Sequence, residues 1–316
     1  MRVFTDVKSI AGLPGPKVIT IGNFDGLHLG HKKLIESAVK KAKEINGLAG
    51  VLTFSPHPAK VLRPEIELKQ LYTLDETLPL LEGAGIDFVV VQNFDVAFAR
   101  TPAEQFVHDY LWLNFKPQHV VVGYDFAFGA DRAGSLSTLK SAGQKLGFGV
   151  TSESPLLFNE LPISSSRIRE LLLAGDVSGV PALLGREYSI TGTVQAGHAR
   201  GRGIGFSTAN IATQKEIIPR VGVYATEFLW RGRKYPSATN VGYSPTFKNP
   251  NVQPLTIETH IFDFNQDIYG EAVEVFFKKR IRNEIKFNSV DELKAQIQND
   301  IVEVKNFFKD HHAELG

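Results

Sequence analysis

Cysteine is absent from all 316 residues, and that omission excludes disulfide bonds, thiolate nucleophiles and Cys-based zinc or iron–sulfur sites. Chemistry must come from His, Asp, Glu, hydroxyls and backbone amides. An excess of charge is lacking too. The 35 Lys plus Arg against 34 Asp plus Glu give a formal net charge of +1, so no global field draws in nucleic acid or an anionic membrane. An anionic substrate has to be held locally. Nor is there an apolar run approaching the ~18 residues that a membrane-spanning helix needs. Pro14 and Pro16 interrupt the N-terminal segment, which therefore does not read as a signal peptide. The expectation is a soluble, cytoplasmic protein with neither nucleic-acid nor membrane partners.

What is present is ample core material, 43% apolar against 22% charged residues. The length exceeds that of one usual compact domain, so two domains are expected. Short apolar runs at 17–21, 50–54, 88–91, 119–122 and 149–152 alternate with amphipathic segments, the pattern of βαβ units on a parallel sheet. Thr73 with Glu76, and Thr101-Pro-Ala-Glu104 before Phe106, read as capped helix starts. After Leu184 the texture changes to strand-like stretches at 188–194, 222–228, 255–262 and 272–277, separated by Gly, Pro and Asn. Alternation without intervening helices predicts an antiparallel sheet or small barrel. Ser289 and Glu292 then open a final helix to about Phe308, with Leu293, Ile297, Ile301 and Val304 as its apolar stripe. The division falls between 1–183 and 184–316.

The strongest chemical signal is Ile21-Gly-Asn-Phe-Asp-Gly-Leu-His-Leu-Gly-His31, placed between a predicted strand and a predicted helix. Such a passage gathers free backbone N–H groups and the positive end of a helix dipole, a seat for phosphate. Gly22, Gly26 and Gly30 allow close approach, and His28 and His31, three apart, face one ligand from the first helical turn. The competing reading is a capped, solvated helix start, and for this pair alone the two readings are balanced. A metal pair is disfavoured because no third ligand of clear spacing lies nearby. Asp25 is open to two readings as well, pocket residue or turn residue ahead of Gly26. Phe54-Ser-Pro-His-Pro58, Gly123-Tyr-Asp-Phe-Ala-Phe-Gly129 and Ile163-Ser-Ser-Ser-Arg-Ile-Arg169 follow strands or open a helix in the same half. In open α/β sheets the ligand crevice lies beyond the C-terminal strand ends, where these segments can converge.

The ordered elements GxFDGxHxGH, FxPHP, VGxDFxFG and ISSxxIR resemble the nucleotidyltransferase (Rossmann-like) module of the bacterial bifunctional riboflavin kinase/FMN adenylyltransferases. The resemblance implies that Gly22, Asn23, Phe24, Asp25, Gly26, His28, His31, Ser164, Ser165, Ser166 and Arg169 bind ATP, with His28 and His31 stabilising charge as FMN attacks the α-phosphorus. It places Phe54, His57, Pro58, Asp125 and Phe126 on the flavin side.

The second half carries Gly192-Thr-Val-Gln-Ala-Gly197 and Arg200-Gly-Arg-Gly-Ile-Gly-Phe-Ser-Thr-Ala-Asn210. Read alone, this is either a glycine-rich phosphate cradle with oxygen ligands for magnesium or a flexible basic hairpin, the latter slightly favoured. With Asn240-Val-Gly-Tyr-Ser-Pro-Thr-Phe247, Ile257-Glu-Thr-His260 and Tyr269-Gly270 it resembles the riboflavin kinase module of the same family, an antiparallel β-barrel with a C-terminal helix. That implies ATP contacts at Gly197, Arg202, Gly205, Phe206, Ser207, Thr208 and Asn210, with Mg2+ held by Thr208 and Asn210. Glu258 becomes the base for the ribityl hydroxyl, and Glu258 and Arg282 flank the flavin. Three positions depart from the family pattern: Ser207 replaces a proline, while Ser244 and Ala127 replace arginines. These departures free loop backbone and remove anion contacts. Ser207 and Ser244 motivate an alternative, an FAD synthetase whose weakened kinase domain serves as a flavin-binding or regulatory module. The retained Thr208, Asn210 and Glu258 count against it, because a binding module needs no base beside a metal site.

Overall fold

The computed structural model describes residues 1–196, 206–243 and 255–313. The chain divides into two compact units, one up to Ser165 and one from Ser166 onward.

The first unit is built on a six-stranded, wholly parallel sheet. Its strands are β1 (Arg2–Phe4), β2 (Lys17–Ile21), β3 (Leu48–Ser55), β4 (Phe88–Asn93), β5 (His119–Gly123) and β6 (Gly149–Glu153), in the order β1-β4-β3-β2-β5-β6. Both faces are buried, which is why the strands read as unbroken apolar runs rather than alternating ones. Val18, Val51, Val89 and Val121 pack with Ile35, Ala38 and Ala42 of the Leu29–Glu44 helix. Ile19, Leu52, Val90 and Val120 face Phe106, Leu111, Phe115 and Leu139 on the other side. The strand order reverses between β2 and β5, so their C-terminal ends, Ile21 and Gly123, flank the crevice where such sheets bind ligands.

All five runs expected in this half are strands; β1 is an additional three-residue edge strand. The capping box at Thr73 is present. Glu76 Oε2 accepts from Thr73 N at 2.9 Å, and Thr73 Oγ1 from Glu76 N at 3.3 Å. The cap expected at Thr101 is not: Pro102 is the N-cap, without a side-chain bond, and Phe106–Trp112 winds as a π-helix. The cause is tertiary. Thr101 is buried and its carbonyl accepts from Ala130 N at 2.8 Å, so a distant loop fixes the backbone where a local cap would have formed.

In the second unit β9 (Tyr188–Gln195), β10 (Ala209–Ala212), β11 (Gly222–Trp230), β12 (Arg233–Tyr243), β13 (Leu255–Ile261) and β14 (Ala272–Arg282) form a closed antiparallel barrel in the order β10-β13-β12-β11-β14-β9. A small hairpin in the first unit supplies β7 (Leu157–Phe158) and β8 (Leu161–Pro162). Strands β10 and β12 were not expected from the residue pattern. Pro236, Asn240 and Gly242 are poor strand formers, and β12 nevertheless pairs on both edges because closure of the barrel demands it. The fully buried hydroxyls of Thr226, Ser237, Thr239 and Thr259 are joined by bonds of 2.7 to 2.9 Å, so each polar group is satisfied. The final helix, Val290–Ala313, runs past Phe308 and packs Val304 and Phe308 against Ala225 and Phe262 on the outside of the barrel. Ser289 Oγ caps it, accepting from Glu292 N at 3.1 Å, while Glu292 reaches back to the N–H of Asn288 instead of that of Ser289.

Candidate active sites

In the first unit, chain reversal after β2 needs left-handed backbone at Phe24 (φ 51°), Gly26 (φ 78°) and Leu27 (φ 41°). Phe24 is buried and meets the His31 ring edge-on at 5.3 Å. Asn23 is exposed, with its carbonyl 3.4 Å from Thr53 Oγ1. Gly22 continues the sheet by donating to the Leu52 carbonyl at 3.1 Å. His28 is the N-cap of the Leu29–Glu44 helix: its Nδ1 accepts from His31 N at 3.3 Å. An accepting Nδ1 places the neutral ring's proton on Nε2. The His28 and His31 rings stack with centroids 3.6 Å apart, and a Cβ on Gly30 would come within 3.2 Å of the His28 ring. Burial, and secondly His28 beside it, holds the His31 pKa well below 6.5, and its buried Nδ1 has no hydrogen-bond partner. The site therefore pairs two adjacent imidazoles, one of them held neutral, with a helix N-terminus whose Leu29 and Gly30 N–H groups have no intrahelical acceptor.

The expected flavin-side residues lie at the same sheet edge. Phe54 follows the core of β3, and His57 caps the short Pro58–Leu62 helix, its Nδ1 accepting from Ala59 N at 3.1 Å. After β5, Asp125 is exposed and Phe126 half-buried. Sequence reasoning missed the link between them. Phe54 touches Phe98 (5.8 Å), Phe98 touches Phe106 (6.3 Å), Phe106 touches Phe128 (5.4 Å) and Phe128 stacks on Phe126 (5.3 Å). This continuous aromatic wall was hidden because its members are up to 74 positions apart; only the high Phe count, 22, hinted at it. Asp25 is buried, its carboxylate accepting from Leu71 N and Tyr72 N, and its carbonyl accepts from Ser165 Oγ at 2.8 Å. Ser164 directly precedes the Ser165–Ala174 helix, and Ser166 and Arg169 on that helix belong to the second unit.

In the second unit, register brings the expected groups into one transverse row. Asn210 on β10 is directly opposite Glu258 on β13, and Glu258 is opposite Asn240 on β12. Asn240 is opposite Val223, and Val223 is opposite Arg282 on β14. Directly opposed residues carry Cβ atoms about 4.5–5.5 Å apart, so Glu258 lies between two carboxamides. Thr208 is half-buried just before β10. His260 Nδ1 donates to the Ser207 carbonyl at 2.8 Å, and its ring meets Phe206 edge-on at 5.9 Å, so the histidine of Glu-Thr-His anchors the segment that carries Thr208. Arg282 makes a two-pronged bond to Asp300 of the final helix, both contacts 2.7 Å, and donates to the Asn283 carbonyl. Asn240 and His260 went unassigned because only strand pairing reveals their neighbours. Gly197, Arg202, Gly205 and Ser244 lie outside the described residues. Among the described residues no three His, Asp or Glu side chains cluster as a metal site.

Two family profiles match in tandem: FAD synthetase over residues 12–167 and riboflavin kinase over residues 184–308. The chain is 37% identical over 292 residues to the bifunctional riboflavin kinase/FMN adenylyltransferase of Escherichia coli K12, covering 92% of each chain. It is 39% identical over 293 residues to the protein of that name from Bacillus subtilis, again covering 92% of each. The same-named protein of Buchnera aphidicola subsp. Schizaphis graminum is 35% identical over 310 residues, 98% of this chain and 99% of that one. A crystal structure described as a macrolide-efflux protein from Streptococcus pneumoniae superimposes with a TM-score of 0.87 at 32% identity, over 96% of this chain and 98% of that chain. The efflux description is of that protein; among the described residues here no helix is long and apolar enough to cross a membrane. Two profiles in series and alignments that run nearly end to end place this chain in the bifunctional riboflavin kinase/FMN adenylyltransferase family.

Proposed function

We propose that the protein phosphorylates riboflavin to FMN in its barrel and adenylylates FMN to FAD in its parallel-sheet unit, with the functional division between residues 183 and 184. The observation that carries this reading is that each compact unit holds its own constellation, a histidine-capped helix start in one and a carboxylate between two carboxamides in the other.

In adenylylation the FMN phosphate attacks the α-phosphorus of ATP and pyrophosphate leaves. The phosphate is already ionised, so no base is required. The turn from Gly22 to Gly26, the helix N-terminus and the two histidines stabilise, by hydrogen-bond donation, charge that grows on the phosphates, and Ser164 and Ser165 receive the departing group. His28 serves as a donor through Nε2, and His31 enters uncharged. The half-buried rings of Phe54 and Phe126, at the two ends of the aromatic row, offer the flavin ring a stacking surface, with His57, Pro58 and Asp125 at its margins.

In the kinase reaction the ribityl hydroxyl attacks the γ-phosphorus of ATP, the bond to the bridging oxygen breaks and ADP leaves. Glu258 accepts the hydroxyl proton, and Asn210 and Asn240 on either side orient its carboxylate. The neutral oxygens of Thr208 and Asn210 would hold a hard divalent cation such as Mg2+, which would supply charge neutralisation there. The Arg282–Asp300 pair holds the final helix over the far end of the row. A sequence without cysteine suits a reducing cytoplasm.

The test is incubation of the purified chain with riboflavin and Mg–ATP. Both FMN and FAD are expected; FAD made only from added FMN would favour the reading of the barrel as a weakened kinase.

A further inference from the structure

We infer that Asp25 is a positioning residue of the adenylyltransferase site, locking the phosphate-seat turn to the loop that carries His57 and Pro58. The inference rests on the assignment of FMN adenylylation to the first unit.

Asp25 sits in the middle of the turn, yet its side chain is only 4% exposed and turns inward rather than toward the crevice. Its Oδ1 accepts from Leu71 N at 2.9 Å and from Tyr72 N at 3.3 Å. Leu71 is fully buried and lies flush on the turn: a Cβ on Gly26 would be 2.6 Å from its Cδ1. Immediately beyond, Thr73 caps the Leu74–Gly83 helix, whose Leu81 is in the core. The loop that leaves β3 through His57 and Pro58 is therefore tied down at its far end by Asp25. The Asp25 carbonyl meanwhile accepts from Ser165 at the start of the next functional segment.

The turn needs such a tie. Phe24 and Leu27 are non-glycine residues in the left-handed region, a conformation held only when surrounding contacts over-determine it. One buried carboxylate thus couples the backbone beneath the ATP phosphates to the wall beside the flavin.

The experiment uses the full chain with Asp25→Ala and Asp25→Asn, assaying FAD from FMN and Mg–ATP, with far-UV circular dichroism and the thermal melt of the same sample reporting whether the first unit is folded. Asparagine keeps an oxygen that can accept from both N–H groups, so its KM for FMN should rise by no more than about fivefold. Alanine removes both bonds and should raise that KM by at least ~tenfold. A role confined to stability would lower the active fraction and leave KM unmoved. The inference is overturned if Asp25→Ala keeps the parent KM, or if Asp25→Asn loses more than ~tenfold in kcat, because the charge would then be acting on a ligand. Should Asp25→Ala fail to fold, Asp25→Asn decides by the same limits. A parallel His28→Ala sample separates the two layers: undiminished FAD synthesis there would remove the adenylyltransferase reading of the site itself.

Discussion

The imidazole pair shows how position alters a residue's chemistry. His28→Ala deletes a cap and an Nε2 donor together, and His31→Ala deletes its stacking partner. Each should cut FAD formation by ~10²–10³-fold while FMN formation continues, since a preorganised donor at a phosphoryl transition state is worth that much. Equal loss of both activities in a folded variant would contradict the assignment. His31 also has a pH signature. An unfolded histidine takes up a proton near 6.5, whereas burial and His28 keep the folded ring neutral to well below that value. Below pH 6.5 the unfolded state therefore binds more protons, and stability falls with pH by up to ~1.4 kcal/mol per unit from this group, with no contribution above. His119, also lowered by burial, adds a slope of the same sign, so the comparison is between parent and His31→Gln. From pH 7 to 5.5 the parent's thermal midpoint should drop more steeply; parallel curves would mean that His31 protonates freely when folded. In the other unit, Glu258→Gln keeps length and shape but removes the proton acceptor. Riboflavin phosphorylation should fall by ~10²–10⁴-fold, and FAD synthesis from supplied FMN should stay near the parent rate. Unimpaired phosphorylation would reduce Glu258 to a bystander on its strand.

Among the elements, the final helix bears most directly on function because its Asp300 binds Arg282, at the end of the Glu258 row. Asp300 is 7% and Arg282 21% exposed, so removing one partner strands a largely buried charge. Asp300→Ala should cost about 3 kcal/mol of kinase-unit stability in a denaturant titration. An Arg282→Met/Asp300→Leu double variant should recover much of it, and failure to do so would point to a role beyond the pair. The helices also show what residue patterns reveal. The boxes at Thr73 and the cap at Ser289 were legible because a cap is a local contract between residues three apart. The Thr101 start was misread because its backbone is engaged by Ala130, which local reasoning does not see.

At the scale of the molecule, the second unit begins before the riboflavin kinase profile does. Leu172 accepts from Arg220 N, and a Cβ on Gly175 would meet Arg280 of β14 at 2.8 Å, so the segment from 166 to 183 is fitted against the barrel. A fragment starting at 184 should fold and make FMN, since barrel and final helix enclose a complete core. One starting at 166 should melt several degrees higher, because Val177, Val180 and Leu183 are almost fully buried. Identical midpoints would show that the added segment contributes nothing to the barrel. A folded 184 fragment unable to make FMN would put the functional boundary elsewhere.

The sequence alone determined the two-part plan, the parallel sheet, the antiparallel character of the second half and the ordered motifs, because periodicity, caps and glycine-rich turns depend on near neighbours along the chain. It could not decide the aromatic wall, the row of Asn210, Glu258 and Asn240, the inward turn of Asp25 or the grip of Asp300 on Arg282. Those depend on strand order, register and closure. They are settled when the free energy of the whole packed unit is minimised, and residues many positions apart become neighbours only then.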